Sequence, residues 1–229
     1  WTLPLYTSWV RELMKITVYE DSFFYYFWKP HGIPSTFWKE KCFLDLLSES
    51  SDQYIKSVLS YLDNMFGKER EYWLLNRLDN DTAWLLYFAK TPLVKEKYKK
   101  AQSEWRISKY YVADVYWNFV QNSLKVSYPI WHHKFSKDRM VVFLDMKQTG
   151  KIDKKRVHQV DTDVEKLYFD KSRNVTTLLV TISKWIRHQI RAHLSSIWFP
   201  IVGEKIYIKK SWSEKLQLFC IWMNIKKTP

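Results

Sequence analysis

Glycine is scarce in this chain of 229 residues, which contains only 4. Average usage near 7% would give roughly 16 glycines. Turns with a positive φ normally use glycine, because a side chain is disfavoured in that conformation. The 13 tryptophans depart from average usage in the opposite direction. The chain as written therefore lacks the ordinary set of glycine turns that a mixed fold needs.

Cysteine is rare as well, and long apolar runs are absent. Cys42 and Cys220 have no neighbouring His or Cys, so we expect buried thiols rather than a disulfide framework or a metal site. No run approaches the roughly 18 apolar residues of a membrane span, and the N-terminus lacks the basic-then-apolar pattern of a signal peptide. We therefore expect a cytoplasmic protein without a membrane partner.

Acidic residues are outnumbered, with 24 Asp and Glu against 37 Lys and Arg, which leaves a net charge of +13. The basic residues recur along the whole chain. Such a distributed positive field suits a polyanion, most simply nucleic acid. The alternative is a solvated basic surface without a specific partner.

Hydrophobic periodicity predicts one α+β domain spanning residues 1–229, because strands and helices alternate without an internal repeat or a long linker. Strands are predicted at 16–19, 23–28, 84–89, 107–120, 125–130, 139–145, 175–183 and within 206–225. Helices are predicted within 38–66 with a break at Ser50-Ser51, from Pro92 to Lys100, and over 188–197. Loops are predicted at 29–35 and 147–155.

Two carboxylates precede the apolar strand in 77-RLDNDTAWLLYFAK-90. Asp79 and Asp81 would share a face if they lay on a strand and could then serve as an acid–base pair on a sugar. The Asn-Asp-Thr around Asp81 is turn-like, which favours a structural role for Asp81. Asp79 lies between Leu78 and the apolar strand, where a carboxylate needs a partner.

Metal and phosphate-loop sites are not favoured by the remaining patterns. His188 and His193 are five residues apart and so lie on different helix faces, unlike the four-apart pair of a zinc helix. The four glycines are too far apart to form a phosphate-cradling loop. Tyr110 and Tyr111 would ordinarily pack within a strand.

Five segments carry recognisable patterns, namely 77-RLDNDTAWLLYFAK-90, 109-KYYVADV-115, 188-HQIRAHL-194, 200-PIVGEKIY-207 and 29-KPHGIP-34. The first three of these contain Arg-Leu-Asp-x-x-Thr, Lys-x-Tyr-x-Ala-x-Val and His-Gln-Ile-Arg-x-His. These patterns are similar to the motifs of the RluA-type family of RNA pseudouridine synthases, and the last two segments are similar to its flanking signatures. The five segments, which follow the family's order along the chain, together resemble that family.

The resemblance implies a pseudouridine synthase fold, with a central, mostly antiparallel sheet flanked by helices and a basic active-site cleft. It implies an isomerase that converts uridine to pseudouridine in ribosomal or transfer RNA. Asp79 is then the nucleophile, Arg191 its ion-pair partner, and Tyr111 the ring that packs on the uracil. Arg77 would fill the gap left by the flipped nucleotide, and RNA contacts would come from Lys109, Arg187 and His188.

The same resemblance implies no cofactor, no metal and a monomer. The chain departs from the family at Asn76, where many members have His, and at Lys184 to Arg187, where Thr-Gly-Arg is common. A preceding RNA-binding domain is not evident in the sequence. The chain begins at Trp1 rather than Met, so we expect that its N-terminus is incomplete.

Tryptophan occupies several positions where the family has glycine, namely Trp84, Trp185 and Trp198, and Trp73 and Trp117 look similar. The 13 tryptophans and 4 glycines together come close to the roughly 16 glycines expected. One hypothesis is that most of these tryptophans are UGA codons, which some bacterial lineages decode as glycine. The alternative is genuine enrichment in tryptophan for base stacking.

Two other functions stay open at this stage. A non-catalytic RNA-binding protein on the same scaffold would keep the basic surface, but it would not need Asp79, Tyr111 and Arg191 together. A glycosidase-like hydrolase would use Asp79 and Asp81, although nothing outside their segment supports it. The target uridine and its RNA class are not specified by these motifs.

Overall fold

The computed structural model of the chain describes residues 18–36, 41–67, 73–132, 139–144, 157–208 and 214–226. The loop predicted at 147–155 lies outside these residues. The chain divides into two compact units, residues 1–100 and residues 101–229.

The described part of the first unit contains three antiparallel strands. They are β1 (Val18–Glu20), β2 (Phe24–Lys29) and β3 (Ala83–Ala89). Phe27 in β2 lies opposite Leu86 in β3, and both side chains are fully buried. The aromatic and branched residues of these strands favour this geometry, because they pack well on a pleated surface.

Among the described residues of this unit, two helices precede β3, namely α1 (Phe43–Ser48) and α2 (Gln53–Phe66). The Asp52 side chain caps α2 by accepting hydrogen bonds from the backbone N–H groups of Tyr54 and Ile55 at 2.8 and 3.2 Å. Ile55, Val58 and Leu62 recur at helical spacing and form the buried face. The break predicted at Ser50-Ser51 is confirmed, since it separates the two helices.

Helix α3 (Pro92–Ser103) begins in the first unit and ends in the second. Five strands of the second unit pair with one another, namely β4 (Ile107–Tyr116), β5 (Ser123–Val126), β9 (Thr162–Asp170), β10 (Val175–Ile182) and β11 (Leu218–Ile225). Their spatial order is β11-β4-β10-β9-β5, and each described pairing is antiparallel. A smaller sheet has the order β7-β6-β8, from β6 (Ile130–His132), β7 (Met140–Val142) and β8 (Val157–His158).

The helix α4 (Gln189–Ser196) belongs to the second unit. Ala192 of this helix packs in a buried cluster with Ile130, Met140 and Val160. The helix is therefore anchored on the small sheet, and the position of its polar side chains is set by that packing. The predicted α+β class with a mostly antiparallel sheet is confirmed.

The periodicity missed the long strand β9. Its sequence, TDVEKLYFD, is rich in charge, and only its first and third residues are buried. The strand forms because both of its edges are paired, with β10 on one side and β5 on the other. Such pairing is decided by neighbours distant in sequence, which a local pattern does not register.

Cys42 and Cys220 are both free, and their burial agrees with the prediction of buried thiols. Within the described ranges, no helix is long and apolar enough to cross a membrane.

Candidate active site

The segment that leads to Asp79 is fastened along β3. The backbone N–H of Leu75 donates to the carbonyl of Tyr87 at 2.8 Å. The Asn76 side chain accepts from the N–H of Tyr87 at 2.8 Å and donates to the carbonyl of Leu85 at 3.2 Å. Asn76, 5% exposed, thus acts as a substitute for strand pairing and sets the register of the residues that follow.

Asp79 itself begins a tight turn. Its carbonyl accepts a hydrogen bond from the N–H of Thr82 at 3.0 Å, which is the i to i+3 bond of a β-turn. Asp79 and Asp81 are half-buried, whereas Arg77 is exposed. Because the two carboxylates lie in a turn, they do not share the face of a strand. The prediction of a turn at Asp81 is confirmed.

The loop that runs from Lys29 to Ser35 holds this turn by its backbone. The carbonyl of Asn80 accepts from the Lys29 ammonium at 2.9 Å and from the N–H of Gly32 at 2.8 Å. The carbonyl of Asp81 accepts from Nδ1 of His31 at 2.7 Å. Two successive carbonyls directly after Asp79 are therefore fixed by one loop.

The far end of this loop fixes the residue before Asp79. The hydroxyl of Ser35 donates to the carbonyl of Leu78 and accepts from its N–H, both at 3.0 Å. Ser35 is 3% exposed, so these bonds are shielded from water. With the backbone held on both sides of it, Asp79 has little conformational freedom.

Lys29 is a buried cation at the centre of this arrangement, 1% exposed. Its ammonium also donates to the carbonyls of Pro30 and Ile33, at 2.9 and 2.7 Å. With Asn80, these acceptors match the three N–H groups of an ammonium. Burial lowers the pKa of Lys29 to about 7, against the charges of Asp81 and Asp79, which raise it.

In the second unit, Lys109 and Tyr111 are two residues apart on β4, so their side chains face the same side of the strand. They are 3% and 6% exposed. The Lys109 ammonium lies 3.7 Å from the ring centroid of Trp185, a cation–π contact. Burial lowers the pKa of Lys109 to about 8.

Cys220 lies opposite Tyr111 in the pairing of β4 with β11. Burial raises the pKa of this thiol to about 12, although the charge of Lys109 and a hydrogen bond with Tyr111 oppose the rise. Cys220 is therefore a neutral thiol, and its burial agrees with the prediction.

Arg191 is held by a partner that the sequence did not identify. Its Nε and Nη2 donate to the two carboxylate oxygens of Glu204, each at 2.8 Å. Arg191 and Glu204 are 2% and 0% exposed. This bidentate pair fixes the plane of the guanidinium, which is the geometry that arginine favours with carboxylates.

Glu204 is in turn held by backbone amides. Its Oε1 accepts from the N–H groups of Ile206 and Tyr207 at 2.7 and 3.3 Å. Burial alone would raise the pKa of Glu204, but the hydrogen bonds and charge of Arg191, together with these amides, lower it below its usual range. An acidic residue within the apolar stretch 199–206 was the sequence signal, because a buried anion requires a cation.

Three basic residues near Arg191 in sequence differ in exposure and in their contacts. Arg187 precedes α4 and is exposed. His188, 6% exposed, is the N-cap of α4, and its Nδ1 lies 3.3 Å from the Tyr207 hydroxyl. His193 contacts Thr162 and the carbonyl of Tyr128, both at 2.8 Å.

The predicted site residues thus form two sets. Arg77 and Asp79 lie in one segment of the first unit, while Lys109, Tyr111 and Arg191 lie in the second. That the two sets meet in one active site stays a prediction. Among the described residues, no group of three or more His, Cys, Asp or Glu side chains could hold a metal ion.

Residues 24–196 match the family model described as RNA pseudouridylate synthase. A Helicobacter pylori protein, described as an uncharacterised RNA pseudouridine synthase, is 29% identical over 154 residues, which cover 67% of this chain and 48% of that protein. Ribosomal large subunit pseudouridine synthase D of Buchnera aphidicola subsp. Schizaphis graminum is 24% identical, covering 83% of this chain and 53% of that protein. Ribosomal large subunit pseudouridine synthase D of Nitrosomonas europaea is 29% identical, and the match covers 60% of this chain and 36% of that protein.

The chain spans about half the length of the curated relatives it matches most extensively, 48% and 53%. Among solved structures, human RNA pseudouridylate synthase domain containing 1 is similar with a TM-score of 0.68 and 16% identity, covering 92% of this chain and 78% of that one. Human RNA pseudouridylate synthase domain containing 4 is similar with a TM-score of 0.64 and 16% identity, covering 94% and 85%. These two similarities concern the fold.

The family match covers more than half of the chain and includes Asp79, Tyr111 and Arg191. The order of the motifs and the fold agree with it. The chain therefore belongs to the RNA pseudouridylate synthase family of the RluA type.

Proposed function

We propose that the protein isomerises specific uridines to pseudouridine in ribosomal or transfer RNA, with Asp79 as the nucleophile. The observation that carries the proposal is the fixed backbone around Asp79. Three neighbours of this carboxylate, Leu78, Asn80 and Asp81, are each hydrogen-bonded to the loop from Lys29 to Ser35. Such pre-organisation is what a group that attacks a bound substrate requires.

The chemistry balances without an external reactant. The bond between uracil N1 and ribose C1′ breaks, the base turns, and a bond forms between C5 and C1′. The proton on C5 leaves and N1 gains one, so no oxidant or reductant is consumed. A carboxylate is suited to the transient covalent step that this sequence needs.

The roles proposed for the other residues are those that the family resemblance implies. Tyr111 packs against the uracil ring and helps to remove the C5 proton. Arg191 is the proposed ion-pair partner of Asp79, and Glu204 sets the orientation of its guanidinium. The exposed Arg77 enters the RNA stack when the nucleotide flips out, a step that costs a few kcal/mol.

The RNA partner is proposed from charge and from the relatives. The net charge is +13, and two relatives are described as acting on the ribosomal large subunit. Lys109, Arg187 and His188 are proposed to contact RNA. We further propose that residues 1–229 act as one catalytic domain, since the family match extends across both compact units. A monomer in the cytoplasm is also part of this proposal.

The decisive experiment follows tritium release from ribosomal and transfer RNA transcripts that carry uridine tritiated at C5. The substitution Asp79→Asn should abolish release, because an amide is a poor nucleophile. The matched control is Asp81→Asn in the same turn, which should retain activity. Circular dichroism and the melting temperature would check that both variants fold.

Each alternative has its own outcome. Equal activity in Asp79→Asn and the parent protein would overturn the assignment of the nucleophile. RNA binding without any tritium release from the parent would favour a non-catalytic RNA-binding protein. Loss of activity in both variants would favour a mechanism that requires the two carboxylates.

A further inference from the structure

The backbone has an unusual group of residues with positive φ. Among the described residues, six that are not glycine adopt this conformation. Asn and His are residue types that tolerate it comparatively well, whereas a bulky side chain there is a genuine outlier. The six are Asn174 (52°), His188 (55°), Trp84 (81°), Trp105 (57°), Trp117 (71°) and Trp198 (68°).

Four of the nine described tryptophans therefore have a backbone that favours glycine. The other five described tryptophans have no positive φ, and they are Trp28, Trp73, Trp131, Trp185 and Trp222. All three described glycines that have a positive φ, Gly32, Gly67 and Gly203, lie between 75° and 80°. The four unusual tryptophans thus share the conformation of the glycines rather than that of the other tryptophans.

Trp105 occupies the position after a helix where glycine is normal. Its N–H donates to the carbonyl of Gln102 at 3.1 Å, and the N–H of Arg106 donates to the carbonyl of Ala101 at 2.9 Å. These two bonds form the Schellman motif that ends α3, and its left-handed residue is usually glycine. The indole adds little packing there, since Trp105 is 54% exposed.

Trp198 repeats the same arrangement at the end of α4. Its N–H donates to the carbonyl of Ser195 at 3.2 Å, and the N–H of Phe199 donates to the carbonyl of Leu194 at 2.9 Å. Trp198 is 82% exposed, so a large apolar ring is in water at a position where a side chain is disfavoured.

Trp84 and Trp117 lie at strand ends. Trp84 is the second residue of β3, opposite Lys29 in the pairing with β2. Trp117 directly follows β4, and its N–H donates to the carbonyl of Asn174 at 2.8 Å. A positive φ within or beside a strand marks a bulge or close backbone approach, where glycine is the usual residue.

We propose that Trp84, Trp105, Trp117 and Trp198 are glycine in the protein made by its source organism, and that each is encoded by UGA. This codon differs from the tryptophan codon UGG only in its third base, and some bacterial lineages decode it as glycine. The sign of φ assigns these four positions, and Trp105 is among them although the family resemblance did not point to it. Trp73 and Trp185, which have ordinary backbones, are not included in the proposal.

The direct test is peptide mass spectrometry of the protein isolated from its native source, together with the codons of its gene. Glycine at all four positions and UGA at all four codons are expected. Tryptophan in any of the four peptides, or UGG at any of the four codons, overturns the proposal for that position. Neither measurement depends on enzymatic activity, so failure of the proposed function would leave the result intact.

A stability test addresses the physical cause. Trp198→Gly should raise the melting temperature by about 2 °C or more, because the backbone strain disappears and little packing is lost. Trp198→Ala should give a smaller rise, since its Cβ keeps the steric conflict.

The matched control is Trp222→Gly in β11, where the tryptophan is 53% exposed but lacks a positive φ. Although Trp222 lies beside a register shift in the pairing of β11 with β4, its φ is not positive. Glycine should therefore lower the melting temperature there, because it weakens a strand position that does not need it. A lower melting temperature for Trp198→Gly, or equal rises for glycine and alanine at 198, would overturn the structural argument.

Discussion

At the scale of single residues, the buried pair of Arg191 and Glu204 has the largest electrostatic consequence. Both side chains are almost fully shielded from water. Removing one member of such a pair leaves the other charge buried and uncompensated, and this is costlier than removing both.

The first prediction concerns this pair. Glu204→Gln should lower the free energy of unfolding by about 3–5 kcal/mol, since the Arg191 charge loses its partner. It should also reduce pseudouridine formation, because Nε and Nη2 of Arg191 lose their anchor. Urea denaturation and tritium release would measure the two effects.

A double-mutant cycle provides the control. Arg191→Met combined with Glu204→Gln should destabilise less than the two single changes added together, because neither charge is then left alone. Additive destabilisation would show that the pair does not act as a unit.

The second prediction concerns His193 and pH. Nε2 must donate to the carbonyl of Tyr128, so the neutral ring accepts at Nδ1 from the Thr162 hydroxyl. Burial lowers the pKa of His193 to about 4, against smaller raising effects from Tyr128 and Asp161. Between the unfolded value near 6.5 and this folded value, the unfolded chain binds more protons.

Stability supplied by neutral His193 is therefore complete above pH 6.5 and is lost as the pH falls towards 4. The loss from this group between pH 7 and pH 4.5 should be about 2–3 kcal/mol. His193→Gln, which keeps one donor and one acceptor, should show a correspondingly smaller decrease in unfolding free energy. An unchanged decrease in that variant would contradict the assignment.

At the scale of elements, the loop from Lys29 to Ser35 determines where Asp79 lies. Its contacts reach the backbone of Leu78, Asn80 and Asp81, so they do not depend on the side chains of the turn. The loop directly follows β2, which pairs with β3. Strand pairing therefore brings the loop and the turn together.

The third prediction tests this element. Lys29→Met removes the donor shared by the carbonyls of Pro30, Ile33 and Asn80. The carbonyl of Asn80 then keeps only the N–H of Gly32. The rate of pseudouridine formation should fall at least tenfold, because the part-buried carbonyls of Pro30 and Ile33 lose this donor at a cost of about 1–3 kcal/mol each, which loosens the turn. Steady-state tritium release would measure the change.

The control is Lys90→Met. Lys90 forms its ion pair with Glu20, whose side chain is 43% exposed, and such pairs contribute little. Activity should be nearly unchanged in this variant. An equal effect of the two substitutions would indicate that total charge, rather than the loop, controls the rate.

At the scale of the whole molecule, the net charge of +13 is the physical basis of the proposed RNA binding. Basic residues are spread along the chain, and three lysines of α3, at positions 97, 99 and 100, are exposed. Contacts with phosphates release counterions, so affinity should depend steeply on salt.

The fourth prediction is a loss of RNA affinity of about 10³-fold between 50 and 200 mM salt, as for a protein that neutralises roughly six phosphates. Filter binding with an unmodified transcript would measure it. Lys97→Gln should reduce the slope by about 1, whereas Glu96→Gln on the same helix should not reduce it. A loss below tenfold would contradict an electrostatic origin of binding.

Much of this protein was determined by its sequence alone. The order of the motifs identifies the family, and the motifs predict Asp79, Tyr111 and Arg191 as catalytic residues. The strand after Asp79 and the helix carrying Arg191 followed from local patterns, because apolar periodicity and turn residues act over a few neighbours. The turn at Asp81 was predicted for the same reason.

Only the tertiary structure decided which distant residues become partners. Glu204 is 13 positions from Arg191, Lys29 is 51 positions from Asn80, and neither pairing leaves a local pattern. The charged strand β9 forms because two other strands flank it. The sequence raised the question of the tryptophans by their number, but the sign of φ belongs to the folded backbone, and it selected four of them.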